Sequence, residues 1–324
     1  MQRPRLLITR RLPELVHERL RQNFDVEANT GDSPLDRAAL ARALREFDAL
    51  IPTITDRLDA ELVQSCGPLR TRLIANFGAG VEHIDLEAAR RAQIVVTNTP
   101  GALTEATAEM AMLLMLMVAR RAGEGERLLR DGRWSGWAPT QLLGQDLRGK
   151  TLGLIGFGRI ARETARRARA LLDVSIAYHS RSRASLSDEA ALGATYHASL
   201  PALLSVSDIV SLHCPGGAAT RHLLNRQAFE CMKPSAILIN TARGSVVDER
   251  ALADALSRGL IAGAGLDVYE AEPAVLPALL EREDVVLLPH LGSATLQTRA
   301  AMGMQAAGNA EVFFRGDVPP NRVA

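Results

Sequence analysis

The sequence predicts an α/β protein of two doubly wound parallel-sheet domains, one inserted in the other. Three observations carry the prediction. Short apolar runs alternate with amphipathic ones between Arg5 and Thr99, a glycine-rich junction Gly156-x-Gly158-x-x-Ala161 stands mid-chain behind an apolar run, and the alternation then resumes as far as Leu288. Alternation of this kind means parallel strands joined by crossover helices. Nearly half the chain precedes the junction and an apolar segment follows the last strand. Residues 1–100 with 291–324 are therefore expected to form a discontinuous substrate domain around a dinucleotide-binding domain, 101–290.

Residues 6–8, 49–51, 73–75 and 94–96 are apolar runs of strand length, and 12–20, 58–63 and 86–91 are amphipathic stretches between them. The first run is too short for a signal-peptide core and reads as a strand. The longest apolar run, 108–119, is too short to cross a bilayer and reads as a buried helix. Thr104 is its expected N-cap. Glu105 and Glu109 near its start and Arg120 and Arg121 at its end give the charge order that suits a helix dipole. Residues 123–147 lack periodicity and hold both tryptophans, Trp134 and Trp137. After them come a strand at 152–155, an Ala- and Arg-rich helix at 159–171, and strands at 174–178, 209–212, 236–240, 262–266 and 285–288. Residues 294–315, apolar at helical spacing, make a final helix expected to return to the N-terminal domain.

Composition narrows the class. A chain of 324 residues has room for two cores. A formal charge of +1 with 23% charged residues argues against a general nucleic-acid or acidic-membrane binder. The three cysteines, Cys66, Cys214 and Cys231, are widely spaced and odd in number, which fits a reducing cytoplasm rather than a disulfide framework. None has metal-ligand spacing, and no metal is expected.

The junction is a Rossmann-type dinucleotide fingerprint. Gly156 permits the tight strand-to-helix turn, Gly158 lets the backbone approach a pyrophosphate, and small Ala161 lets the helix pack on the strand. The helix amides and dipole then face the phosphates. Three later segments sharpen the reading: Asn240-Thr241-Ala242-Arg243-Gly244, Leu266-Asp267-Val268-Tyr269-Glu270-Ala271-Glu272-Pro273, and Pro289-His290-Leu291-Gly292-Ser293-Ala294-Thr295. Each sets a polar residue just past a predicted strand, where open α/β sheets bind ligands. Arg243, Glu272 and His290 are thus expected to meet beside a nicotinamide. Reduction of a 2-keto acid needs these types. Arg243 offers a planar cation for a carboxylate and a polarised carbonyl. His290 offers a proton donor of the right kind. Glu272 orients that imidazole and favours its protonated form.

The cofactor is read at the end of the next strand, Tyr178-His179-Ser180-Arg181-Ser182-Arg183. An NAD enzyme normally offers an acid there. None occurs between Asp173, at the wrong end of the strand, and Asp188. Ser180 and Arg181, with Arg183, are expected to bind a 2′-phosphate, giving preference for NADP(H), with NAD the alternative.

Asn98-Thr99-Pro100, Leu103-Thr104-Glu105-Ala106-Thr107-Ala108-Glu109, the fingerprint, Asn240 to Gly244 and Pro289 to Thr295 together resemble the D-isomer-specific 2-hydroxyacid dehydrogenases, over nearly the whole chain. The match is most specific to their glyoxylate and hydroxypyruvate reductase branch. The resemblance implies that Arg243, Glu272 and His290 are catalytic. It also implies that the loop Asn76-Phe77-Gly78-Ala79-Gly80-Val81 grips the substrate carboxylate through backbone amides at Ala79 and Gly80, with Ala79 where Val is common. Ser293 is implied to bond the catalytic imidazole or the substrate. Implied cofactor contacts are Thr104 near the nicotinamide ribose, Gly156 with Phe157, Gly158, Arg159 and Ile160 at the pyrophosphate, Cys214 and Pro215 beside the adenosine, and Thr241, Asp267, His290 and Gly292 toward the nicotinamide. Family members are typically dimers, so a homodimer is expected, with Trp137 as a substrate wall supplied in trans. Broader D-2-hydroxyacid dehydrogenases, D-3-phosphoglycerate dehydrogenases and non-catalytic dinucleotide sensors share these motifs.

Overall fold

The computed structural model describes residues 3–31 and 33–324. The chain divides into two compact units, Met1–Leu103 with Ser293–Ala324, and Thr104–Gly292. Each is a wholly parallel sheet with helices on both faces, the predicted fold class.

In the discontinuous unit five strands, β1 (Arg5–Ile8), β2 (Asp25–Ala28), β3 (Ala49–Ile51), β4 (Leu73–Ala75) and β5 (Val95–Thr97), run in the order β2-β1-β3-β4-β5. Successive side chains of a strand point to opposite faces, so a sheet covered on both sides needs uninterrupted apolar runs. Leu7, Leu50, Ile74 and Val96 accordingly join one core with Leu40, Leu44 and Leu62 of the covering helices. Leu6, Ile8, Ile51, Leu73 and Ala75 join the other, with Val16 and Leu20 and with Met302, Ala306 and Ala310 of the last helix. That helix, Leu296–Phe314, is tied to Glu14–Asn23 by the Arg19–Glu311 ion pair at 2.7 Å.

In the second unit seven strands, β6 (Thr151–Ile155), β7 (Ser175–His179), β8 (Ala194–Tyr196), β9 (Ile209–Leu212), β10 (Ile237–Asn240), β11 (Gly263–Leu266) and β12 (Val285–Leu287), run in the order β12-β11-β10-β9-β6-β7-β8. The strand order reverses direction between β6 and β9, and ligands of such sheets bind at the carboxyl ends beside that point. Leu152, Leu154, Ile237 and Ile239 face the helices Thr104–Ala119 and Arg159–Leu172 through Leu114, Met115, Ala161 and Ala165. Ile155, Val210 and Leu238 face Leu203, Phe229 and Leu252 on the other side.

Four local readings change. Thr104 is the first residue of its helix rather than the residue before it. The final helix begins at Leu296, capped by the Thr295 side chain. A helix, Ala122–Arg130, occupies the start of the stretch without periodicity. β2 and β8, both edge strands, are added to the predicted set. No described helix is long and apolar enough to cross a membrane.

Candidate active site

At the end of β6 the backbone turns sharply at Gly156, φ 90°, where a Cβ would lie 2.8 Å from the His213 carbonyl oxygen. No side chain bearing a Cβ fits that approach. Gly158 caps the helix Arg159–Leu172 with no side-chain hydrogen bond, and beyond its chain neighbours nothing among the described residues lies within 4 Å of where its Cβ would be. That leaves room for a group to approach the backbone at the start of the helix, where the first turn's amides lack intrahelical acceptors. Nearby, burial pushes the Cys214 thiol up to about 11, so it packs rather than reacts. At the end of β10 the Thr241 hydroxyl is buried with no hydrogen-bond partner among the described residues, and a bound polar group would satisfy it.

At the end of β7 the Ser180 hydroxyl donates to the Ser182 carbonyl at 2.7 Å. Arg181 is exposed and makes no ion pair among the described residues. Arg183 is brought instead onto Glu189, to which its Nε and Nη2 donate at 2.9 and 2.8 Å. Asp188, the other nearby acid, pairs with Arg162.

The three chemistry-bearing residues follow adjacent strands. Asn240 closes β10 with its side chain, accepting from the Ala242 amide and donating to the Arg243 carbonyl, each at 3.0 Å. Arg243 is half-buried, its Nη1 donating to the Ala242 carbonyl at 2.7 Å. Next to it Gly244 lies against the loop after β11: a Cβ there would stand 1.8 Å from the Tyr269 carbonyl carbon. That contact sets the Arg243 turn beside the Glu272 loop. Glu272 Oε1 accepts from the Tyr269 amide at 3.0 Å, and its Oε2 lies 2.9 Å from His290 Nδ1. Burial raises the Glu272 acid, but the hydrogen bond and charge of His290, the Tyr269 amide and the Arg243 cation outweigh it, and its pKa falls below the ordinary value.

His290 holds a left-handed backbone, φ 56°, unusual for a residue with a side chain. Its neighbours hold that turn. Asp267, 1% exposed, accepts from the Leu291 amide at 2.6 Å and the Gly292 amide at 2.7 Å, while Thr107 Oγ1 donates to the Gly292 carbonyl at 3.1 Å. Burial raises the Asp267 acid against those two amides. The Tyr269 hydroxyl donates to the Leu288 carbonyl at 2.8 Å, two residues before His290. Tyr269, Asn240 and Asp267 thus work as fixtures. Of these, the sequence reading named only Asp267, as a cofactor contact.

The loop after β4 belongs to the other unit. Its carbonyls are engaged: Asn76 Nδ2 donates to those of Gly78 and Gly80 at 3.1 and 2.8 Å, Asn98 Nδ2 to that of Ala79 at 2.7 Å, and the Thr99 amide to that of Gly78 at 2.9 Å. The amides of Ala79, Gly80 and Val81 donate to no protein group among the described residues. Backbone amides left without a protein acceptor are donors that an anionic group can take. Ser293 opens the returning segment of the same unit; its carbonyl accepts from the Thr295 amide and Arg299 Nε. Trp137 lies in the irregular stretch, 83% exposed.

A family profile described as the D-isomer specific 2-hydroxyacid dehydrogenase, NAD binding domain, matches residues 112–292. The chain is 42% identical to the glyoxylate reductase of Thermococcus litoralis, over 99% of this chain and 97% of that one. It is 45% identical to that of Aeropyrum pernix, over 100% and 96%. The crystal structure of an NADPH-dependent glyoxylate/hydroxypyruvate reductase from Sinorhizobium meliloti, in complex with NADP and malonate, superposes with a TM-score of 0.88 at 38% identity, covering 100% of this chain and 97% of that one. With these likenesses spanning the chain, and the Arg, Glu and His on the strand ends of a dinucleotide sheet, the protein belongs to the D-isomer-specific 2-hydroxyacid dehydrogenase family.

Proposed function

We propose that the protein is an NADPH-preferring reductase of glyoxylate and hydroxypyruvate, forming glycolate and D-glycerate. The observation that carries the reading is the His290–Glu272 pair at 2.9 Å beside the Arg243 cation. With Nδ1 engaged by Glu272, Nε2 is the nitrogen that gives a proton to the substrate oxygen and recovers it in reverse. Glu272, an ionised partner, steadies the imidazolium. Arg243 polarises the carbonyl, and the amides of Ala79 and Gly80 take the carboxylate, with Ser293 as a further polar contact. Gly156 to Ile160 would hold the pyrophosphate, Cys214 and Pro215 the adenosine, and Thr104, Thr241, Asp267 and Gly292 the nicotinamide side. The dinucleotide, when bound, supplies the hydride. NADPH preference is supported by the exposed Arg181 beside Ser180 and by the pairing of both nearby acids with arginines. The names of the relatives support the substrate pair.

The proposal includes a homodimer. Leu129, Trp134, Trp137 and Leu143 are 61%, 50%, 83% and 64% exposed within one short stretch, large apolar side chains that a second copy would cover. Trp137 is assigned to the partner's substrate wall. Oxidation of NADPH followed with glyoxylate, hydroxypyruvate, pyruvate and phosphohydroxypyruvate tests the activity. The first two are expected to give the highest kcat/KM, and NADH a lower one. Turnover of none of the four would leave a dinucleotide-binding protein without this chemistry.

A further inference from the structure

Tyr178 stands between the two loops assigned to the cofactor's phosphates. Its ring is fully buried and stacks on Phe157 of the fingerprint, with centroids 3.9 Å apart and planes 20° apart. Its hydroxyl reaches the other way, accepting from the Ala184 amide at 2.8 Å and donating to Glu189 Oε1 at 2.7 Å. Glu189, 8% exposed, receives Arg183 on both oxygens. The Arg183 guanidinium in turn lies over the Tyr196 ring, 5.7 Å from its centroid. The far end of the loop that carries Ser180 and Arg181 is therefore pinned through one buried phenol to the ring that packs against the fingerprint. Arg183 and Tyr178 hold the Glu189 acid down to about 2, so the anchor keeps its charge over the range in which the protein works.

We infer that Tyr178, Glu189 and Arg183 form a clamp that positions the Ser180–Arg181 loop for a 2′-phosphate, Arg183 acting as an anchor and not as a phosphate ligand. The inference rests on the NADPH reading above. A loop ordered in advance loses less conformational freedom on binding. The pyrophosphate contacts are common to both dinucleotides and the 2′-phosphate is not. Loosening this loop must therefore weaken NADP binding more than NAD binding.

Calorimetric Kd values for NADP+ and NAD+ on the wild type, Tyr178→Phe and Glu189→Gln test it. Tyr178→Phe keeps the stacked ring and removes both hydroxyl bonds; Glu189→Gln keeps the size and leaves the Arg183 charge in place. Each is expected to raise the Kd for NADP+ by about five- to tenfold and that for NAD+ by less, so that selectivity drops. Equal weakening of both nucleotides, or no change in either, overturns the clamp as a selectivity device. So does tighter NADP+ binding by Glu189→Gln, the result that a direct contact from a released Arg183 would give. Tighter NAD+ than NADP+ binding by the wild type overturns the cofactor reading itself, and the clamp with it; that result appears in the wild type alone.

Discussion

His290 combines a strained backbone with a carboxylate partner, and both have consequences for single substitutions. Left-handed backbone at a residue with a side chain costs on the order of 1 kcal/mol, and here the Asp267 carboxylate and the Thr107 hydroxyl hold it. His290→Gln is expected to cut kcat by about 10²- to 10⁴-fold, the usual worth of a positioned proton donor, in steady-state NADPH oxidation. Glu272→Gln tests the pair through turnover in both directions. Glu272 stays ionised below the ordinary carboxylate range, so its Oε2 is a charged acceptor 2.9 Å from His290 Nδ1 at every working pH. Gln keeps the size and loses the charge, so kcat should fall by about tenfold in both NADPH oxidation and D-glycerate oxidation. An unchanged kcat in both directions would remove Glu272 from this role. Gly244→Ala tests placement and not chemistry. Its methyl group would meet the Tyr269 carbonyl carbon at 1.8 Å, so a stability loss of about 3 kcal/mol and loss of turnover are expected by denaturant titration and assay.

At the scale of elements, the helix that receives the fingerprint is tied to the helix Thr104–Ala119 by Arg167. This side chain pairs with Glu163 on its own helix and with Glu105 and Glu109 across the gap. Arg166 and then Arg167 overcome burial and hold the Glu163 acid down from 4.5 to about 2. A depressed acid stabilises the fold fully above its unfolded value and loses that contribution as pH falls through its folded value. Urea unfolding of Glu163→Gln against the wild type should show a difference of about 1 kcal/mol at neutral pH that vanishes between pH 4.5 and about 2. A difference independent of pH would count against the network. The strands legible in the sequence are those buried on both faces, since only they must be continuously apolar. β2, with Asp25 and Glu27 exposed, and β8, with Thr195 exposed, escape that demand. The helix Ala122–Arg130 was hidden by Gly123 and Gly125 and buries no residue of its own. The site shows the same division. Arg243, Glu272 and His290 sit at strand ends that their local sequences mark. Gly244 and Tyr269, which hold them, act through tertiary contacts that leave no local pattern.

At the scale of the whole molecule, the proposed dimer follows from where the tryptophans stand. The chain has two, and both lie in the stretch proposed to meet a second copy, 83% and 50% exposed in a single chain. Burying a large aromatic side chain is worth about 1.5–3 kcal/mol, so a surface that covers both Trp134 and Trp137 with Leu129 and Leu143 gains appreciably from pairing. Because no other tryptophan contributes, intrinsic fluorescence reports this surface alone. Light scattering should give twice the mass of one chain, and dilution should move the emission to longer wavelength as the indoles return to water. Trp137→Ala should shift that transition to higher protein concentration and raise KM for keto acids, since the indole is assigned to the partner's substrate wall. A single-chain mass, with an emission maximum indifferent to dilution, would return Trp137 to its own subunit and leave the substrate pocket to be completed from within one chain.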